Sequence, residues 1–279
     1  MLEFLQYDFM QRALLAAVLV GIAAPLVGVY IVQRRLALIG DGLGHVALTG
    51  VALGLLTSRS PVLVALVVSI LGAVAIEVVR ARARTSADIA LALLFYGGIA
   101  GGVVLISKAP GGTASTLNAY LFGAITTTSA QDLLVFGLLA VVIVLVTVGL
   151  ARELFAVAND EDFARASGMP VTGLNILLAS LTAATVVLSM RVVGLLLISA
   201  LMVVPVATAT LVTHSFRGTL ILSVAIGLAV AVSGVALSYS WDTPSGGTIV
   251  LLAIALFGAT AVGAPLIGAA RRRTSAVRV

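Results

Sequence analysis

The chain is 279 residues long, 61% hydrophobic and only 10% charged, with a mean hydropathy of +1.22. Soluble domains carry roughly 25% charged residues, so this composition excludes a water-solvated surface and points to a bilayer. The net charge of +5 comes from basic residues scattered at the ends of apolar runs, which argues against a nucleic-acid partner, and zero cysteines exclude disulfides and thiolate metal ligands.

Apolar runs able to cross a hydrocarbon core of roughly 30 Å as helices fall at residues 12–33, 36–57, 61–79, 88–107, 131–151, 173–190, 192–214, 217–239 and 246–267. The expected fold is therefore all-α: a polytopic helical membrane protein with eight or nine transmembrane helices in a single domain, 1–279. The first run follows MLEFLQYDFMQR, which lacks a cationic start and meets no small-residue cleavage site before Pro25, so it is expected to stay as a span. Residues 117–127, LNAYLFGAITT, are too short to cross and are a candidate re-entrant segment. Small-residue clusters such as GGIAGG at 97–102 let helix backbones approach closely inside a membrane.

Placing residues 33–35 in the cytoplasm puts twelve arginines there, among them Arg34, Arg80, Arg152, Arg165 and Arg217, and leaves Arg12, Arg59, Lys108 and Arg191 outside. The positive-inside bias then sets the N-terminus outside and the C-terminal RRRTSAVR inside, in a plasma membrane.

The second run contains LIGDGLGHVALTG, in which Asp41 and His45 are the only ionisable residues between Arg35 and Arg59. A charge at that depth costs at least roughly 2.5–3.5 kcal/mol, so it needs compensation. Four helical positions bring the two side chains within about 40° of one face and about 6 Å along the axis, and Thr49 extends the stripe by a turn. Three uses fit: a hydrogen-bonded packing lock, a titrating proton relay, or a cation site. Carboxylate plus neutral imidazole suits Zn²⁺, and also Mn²⁺ or Fe²⁺, whereas the lack of cysteine and of a methionine ladder disfavours Cu⁺. Two ligands are too few for capture; a homodimer pairing the stripe across a two-fold axis supplies four.

Residues 152–172, RELFAVANDEDFARASGMPVT, form the longest cytoplasmic connection and the one with mixed charge. Asp160 is placed to cap a short helix with Glu161 and Asp162 in its first turn, ended by Gly168 and Pro170. Ala164 and Gly168, four apart, would present a small-residue face to a partner; a solvated loop helix is the plainer reading. On the opposite side, Trp241 reads as an interfacial anchor and Asp242-Thr-Pro as a turn with a cap for the next helix, or both as a contact with a binding protein. No G-x-x-x-x-G-K-[ST] occurs and the one lysine, Lys108, lies in an outer loop, so the chain is not itself an ATPase or another enzyme.

Five separated blocks, RRLALIGDGLGHVALTGVALG at 34–54, AYLFG at 119–123, EDFARASGMPVTGLN at 161–175, VVGLLLISALMVVPVATATL at 192–211 and WDTPSGGTIVL at 241–251, resemble the permeases of zinc/manganese ABC importers, the ABC-3 family. The resemblance implies a type II ABC importer-like homodimer with no permanent cofactor, in which Asp41 and His45 coordinate and gate the transported Zn²⁺ or Mn²⁺. It also implies a cytoplasmic ATPase subunit that binds ATP and docks on Glu161, Ala164 and Gly168, and an extracytoplasmic metal-binding protein. Gly42 and Gly44 depart from the family pattern, which often has alanine, or serine before the histidine. A proton-coupled secondary metal transporter, an ABC permease for iron complexes and a non-transporting scaffold are the alternatives.

Overall fold

The computed structural model describes residues 7–82, 87–109, 120–123, 129–190, 193–195 and 197–276. Eleven helices order them: α1 (Asp8–Gln33), α2 (Ile39–Leu56), α3 (Pro61–Arg82), α4 (Ala87–Ile106), α5 (Ala130–Gly149), α6 (Ala151–Asn159), α7 (Glu161–Ala166), α8 (Val171–Ser189), α9 (Ile198–Thr210), α10 (Phe216–Trp241) and α11 (Ser245–Ala276). Among the described residues seven helices are long and apolar enough to cross a membrane, and two shorter apolar ones, Leu91–Ile106 and Ile198–Thr210, bring the set to the nine runs of the sequence.

Polar residues at the helix ends explain several boundaries. Ser129 Oγ accepts the Asp132 N–H while the Asp132 carboxylate accepts the Ser129 N–H, a capping box opening α5, and Ser215 Oγ accepts the Gly218 N–H to open α10. At the end of α1, Arg35 takes a left-handed conformation (φ 58°), with Leu36 N–H bonded to Ile31 O at 3.0 Å and Arg35 N–H to Val32 O at 3.0 Å. That pairing satisfies the last carbonyls of the helix and makes a tight turn into α2.

The bundle is centred on α1, α2 and α8, whereas α5 and α11 leave most of their surface uncovered. Helix α2 packs against α3 and α4, α1 against α9 and α10, and α8 against α3. Small residues make these approaches possible: a β-carbon at Gly28 would collide with the Met202 carbonyl, and one at Gly21 would lie 2.9 Å from Leu228 Cα. Tyr30, fully buried on α1, donates its hydroxyl to Thr147 O on α5 at 3.1 Å.

The predicted continuous span at 192–214 is corrected. Among the described residues of that run only Ile198–Thr210 is helical, about 20 Å at 1.5 Å per residue and too short to cross alone. Gly194 is left-handed (φ 88°) and Leu195 N–H bonds Tyr120 O at 2.9 Å, so the chain before α9 turns away from a continuous helix and pairs at Leu195 with the 120–123 segment. Whether 117–127 is re-entrant lies outside the described residues apart from 120–123.

Candidate functional site

Asp41 and His45 both fall in the first turns of α2 and are only partly covered, unlike the buried Gly42, Leu43 and Gly44 between them. Gly40 abuts Ser199 Oγ, at 2.7 Å from a β-carbon built there. Ser199 lies in the first turn of α9, so the starts of α2 and α9 meet beside the pair. Among the described residues neither side chain makes a hydrogen bond. No cluster of three or more His, Cys, Asp or Glu forms among the described residues.

Helix α4 is the wall behind the pair. The Phe95 ring meets the His45 imidazole edge to face with centroids 4.3 Å apart, and Thr49 Oγ1 donates to Gly98 O at 2.8 Å. A β-carbon at Gly98 would sit 2.6 Å from His45 C and 2.7 Å from Val46 N, so the cluster at 97–102 lets α4 lie directly on the turn that carries His45. Gly42 and Gly44 have the same cause: built β-carbons would come within 2.8 Å of a Leu94 methyl and 2.9 Å of Leu195 O. Irregular backbone at membrane depth is tolerated only inside protein or along a cavity, and here it lies beside α2. Ser199 Oγ, buried and without a hydrogen-bond partner among the described residues, adds an unused oxygen beside Gly40.

At the arginine-rich end, Asp160 Oδ1 accepts the Phe163 N–H at 2.9 Å and starts the six-residue α7. Glu161 Oε2 lies 3.7 Å from Arg34 and 3.6 Å from Arg80, its Oε1 3.0 Å from Arg165, and Arg80 also pairs with the buried Glu77 at 3.3 Å. Burial and the neighbouring Arg80 push the Arg34 guanidinium below its ordinary range, and Glu77 and Glu161 oppose them.

Residues 6–263 match the ABC 3 transport family. The chain belongs to that family. It is 34% identical to the manganese transport system membrane protein MntC of Halalkalibacterium halodurans, over 91% of this chain and 87% of that protein. It is 32% identical to a Haemophilus influenzae membrane protein named for iron transport, over 92% and 94% of the two. Among solved structures, PsaBC from Streptococcus pneumoniae in complex with Fab superposes with a TM-score of 0.83 at 31% identity, covering 92% of this chain and 94% of that one. The resemblance carried by the five sequence blocks is thereby confirmed, and the chain is a membrane-spanning ABC transport subunit.

In this ABC 3 chain the predicted residues divide. Asp41 and His45 share one face of α2, as their spacing requires, and His45 packs on α4. Glu161, Ala164 and Gly168 do not share one outward face: Ala164 is fully buried and the Glu161 carboxylate turns toward Arg34 and Arg80. The small-residue face is thus corrected, because α7 lies flat on the bundle and burying the alanine brings it close; the exposed side carries Asp162, Phe163 and Ala166, with Gly168 (φ 80°) ending the helix. Trp241 is 66% exposed beside a groove of about 610 Å³ that Phe122 and Leu251 also line. Asp242 is corrected from cap of the next helix to left-handed C-cap of α10 (φ 50°), its N–H bonded to Ser238 O. Phe95, Gly98 and the ionic partners Arg34, Glu77 and Arg80 were missed; the i,i+3 spacing of Glu77 and Arg80 was a legible signal for that pair.

Proposed function

We propose that the chain is the permease of an ATP-driven importer for a divalent transition metal, in which Asp41 and His45 form half of a transient gate site completed by a second copy. The observation that carries this is an aspartate and a histidine on one face of a helix in an apolar bundle, hydrogen-bonded to nothing among the described residues, with a glycine-packed helix against the histidine turn. A membrane does not retain such groups without use, and two copies supply a four-ligand oxygen and nitrogen set. Manganese is the first cargo by the MntC relative, and zinc and iron fit the same donors. The ion is held weakly, because a site that binds too well cannot release.

The arginine-rich end faces the cytoplasm in this reading, and a separate ATPase subunit docks on the exposed side of α7. A metal-binding protein approaches from the opposite side, where Trp241 and Asp242 lie exposed. The test is radioactive manganese uptake by proteoliposomes holding permease, ATPase subunit and binding protein. Asp41→Ala and His45→Ala should each abolish uptake while the complex stays assembled; uptake at the wild-type rate in either variant ends the site assignment.

A further inference from the structure

Helix α7 is covalently remote from α2, yet one carboxylate joins them. Glu161 Oε2 reaches both Arg34 and Arg80, so a residue of α7 contacts the α1–α2 turn and α3 at once. The cluster is largely out of water: the side chains of Arg34, Glu77 and Arg80 are 5%, 3% and 20% exposed, and Glu161 is 38% exposed. Arg34 and Arg80 face two carboxylates there, and the more exposed Arg165 adds a third arginine on Glu161. Without Glu161 the two guanidiniums would share Glu77 alone, and breaking a buried pair in this way leaves an uncompensated charge.

From Arg34 the path to the gate is short and stiff. The left-handed Arg35, the Leu36 N–H to Ile31 O bond and the Ile39 N–H to Leu36 O bond, both 3.0 Å, leave the turn little freedom before Asp41 is reached. A shift of Arg34 is therefore passed to the first turn of α2.

We propose that Glu161 is a positioning residue, an ionic strut that conveys displacement of α7 through Arg34 to the helix carrying Asp41 and His45, and through Arg80 to α3. This rests on the import reading above. It gives Glu161 a different task from contact with the ATPase subunit, since its carboxylate is spent within the chain. Rigid elements with discrete contacts can carry such motion between distant sites.

The test uses the complete complex in proteoliposomes, measuring manganese uptake and ATP hydrolysis together, with Glu161→Gln, Glu161→Asp, Arg34→Gln and the Glu161→Gln/Arg34→Gln double variant. Uptake per ATP should fall about tenfold in Glu161→Gln, within the range that changes in a coupling network produce. The ATPase subunit should stay bound and hydrolysis should continue. Glu161→Asp, which keeps the charge but shortens the reach, should lose less, and the double variant should lose no more than the worse single one. Unchanged uptake per ATP, additive losses, or an ATPase subunit that no longer co-purifies with Glu161→Gln would each overturn the strut. If the wild-type complex takes up no metal, the import reading fails, and the strut is judged on the purified permease by amide exchange at residues 36–41. Faster exchange in Glu161→Gln supports it and unchanged exchange refutes it.

Discussion

Gly98→Ala probes the helix wall packed against His45. The added methyl would lie 2.6 Å from His45 C, and ordinary contact begins near 3.4 Å, so α4 and α2 must separate locally by about 0.8 Å. Overpacking of this kind costs about 1–3 kcal/mol. Stretching the Thr49 Oγ1 to Gly98 O bond adds about 0.6 kcal/mol, the average worth of such a bond between membrane helices. Alanine returns up to about 1 kcal/mol in helix propensity. With the full propensity gain the balance is a net destabilisation of about 0.6–2.6 kcal/mol, and the movement also draws Phe95 away from the His45 ring. Gly97→Ala is the control, with nothing within 4 Å of its built β-carbon and the same propensity gain. Thermal unfolding in detergent should therefore show Gly98→Ala melting a few degrees lower and Gly97→Ala at or above wild type, with metal uptake reduced only in the former. If Gly98→Ala melts and transports like wild type, or if Gly97→Ala is impaired equally, the close approach of α4 to the His45 turn is not what shapes the candidate site.

Tyr30→Phe removes the hydroxyl donated to Thr147 O and should cost about 0.5–1.5 kcal/mol in thermal stability, with uptake unaffected, since the bond ties α1 to α5 away from the gate. Asp160→Ala deletes the acceptor for the Phe163 N–H and should weaken the six-residue α7 by about 1 kcal/mol. The expected readout is reduced co-purification of the ATPase subunit at an unchanged melting temperature of the bundle; a lower melting temperature with normal co-purification would show that α7 supports the bundle and not the partner.

Several features were legible in the chain because they are local. Transfer of twenty apolar residues into hydrocarbon is favourable wherever they lie, so hydropathy alone located the runs that became α1, α2, α5, α8, α10 and α11. Asp160 capping α7, with Gly168 ending it, depends on neighbours within eight positions. The break before α9 was not legible: hydropathy counts apolar area, whereas the break is made by a backbone bond from Leu195 to Tyr120.

The sequence by itself determined the solvent, the helical class and the phase of Asp41 and His45, since each follows from composition or from the 3.6-residue period of one helix. Only the tertiary structure decided what those residues face. The reasons for Gly42, Gly44 and Gly98 lie in backbones and side chains of other segments, and Ala164 turns inward because the bundle surface under α7 is near enough to bury it. Glu161 finds Arg34 across 127 positions of chain, a charge pairing that no local period encodes and that exists only once the bundle has closed.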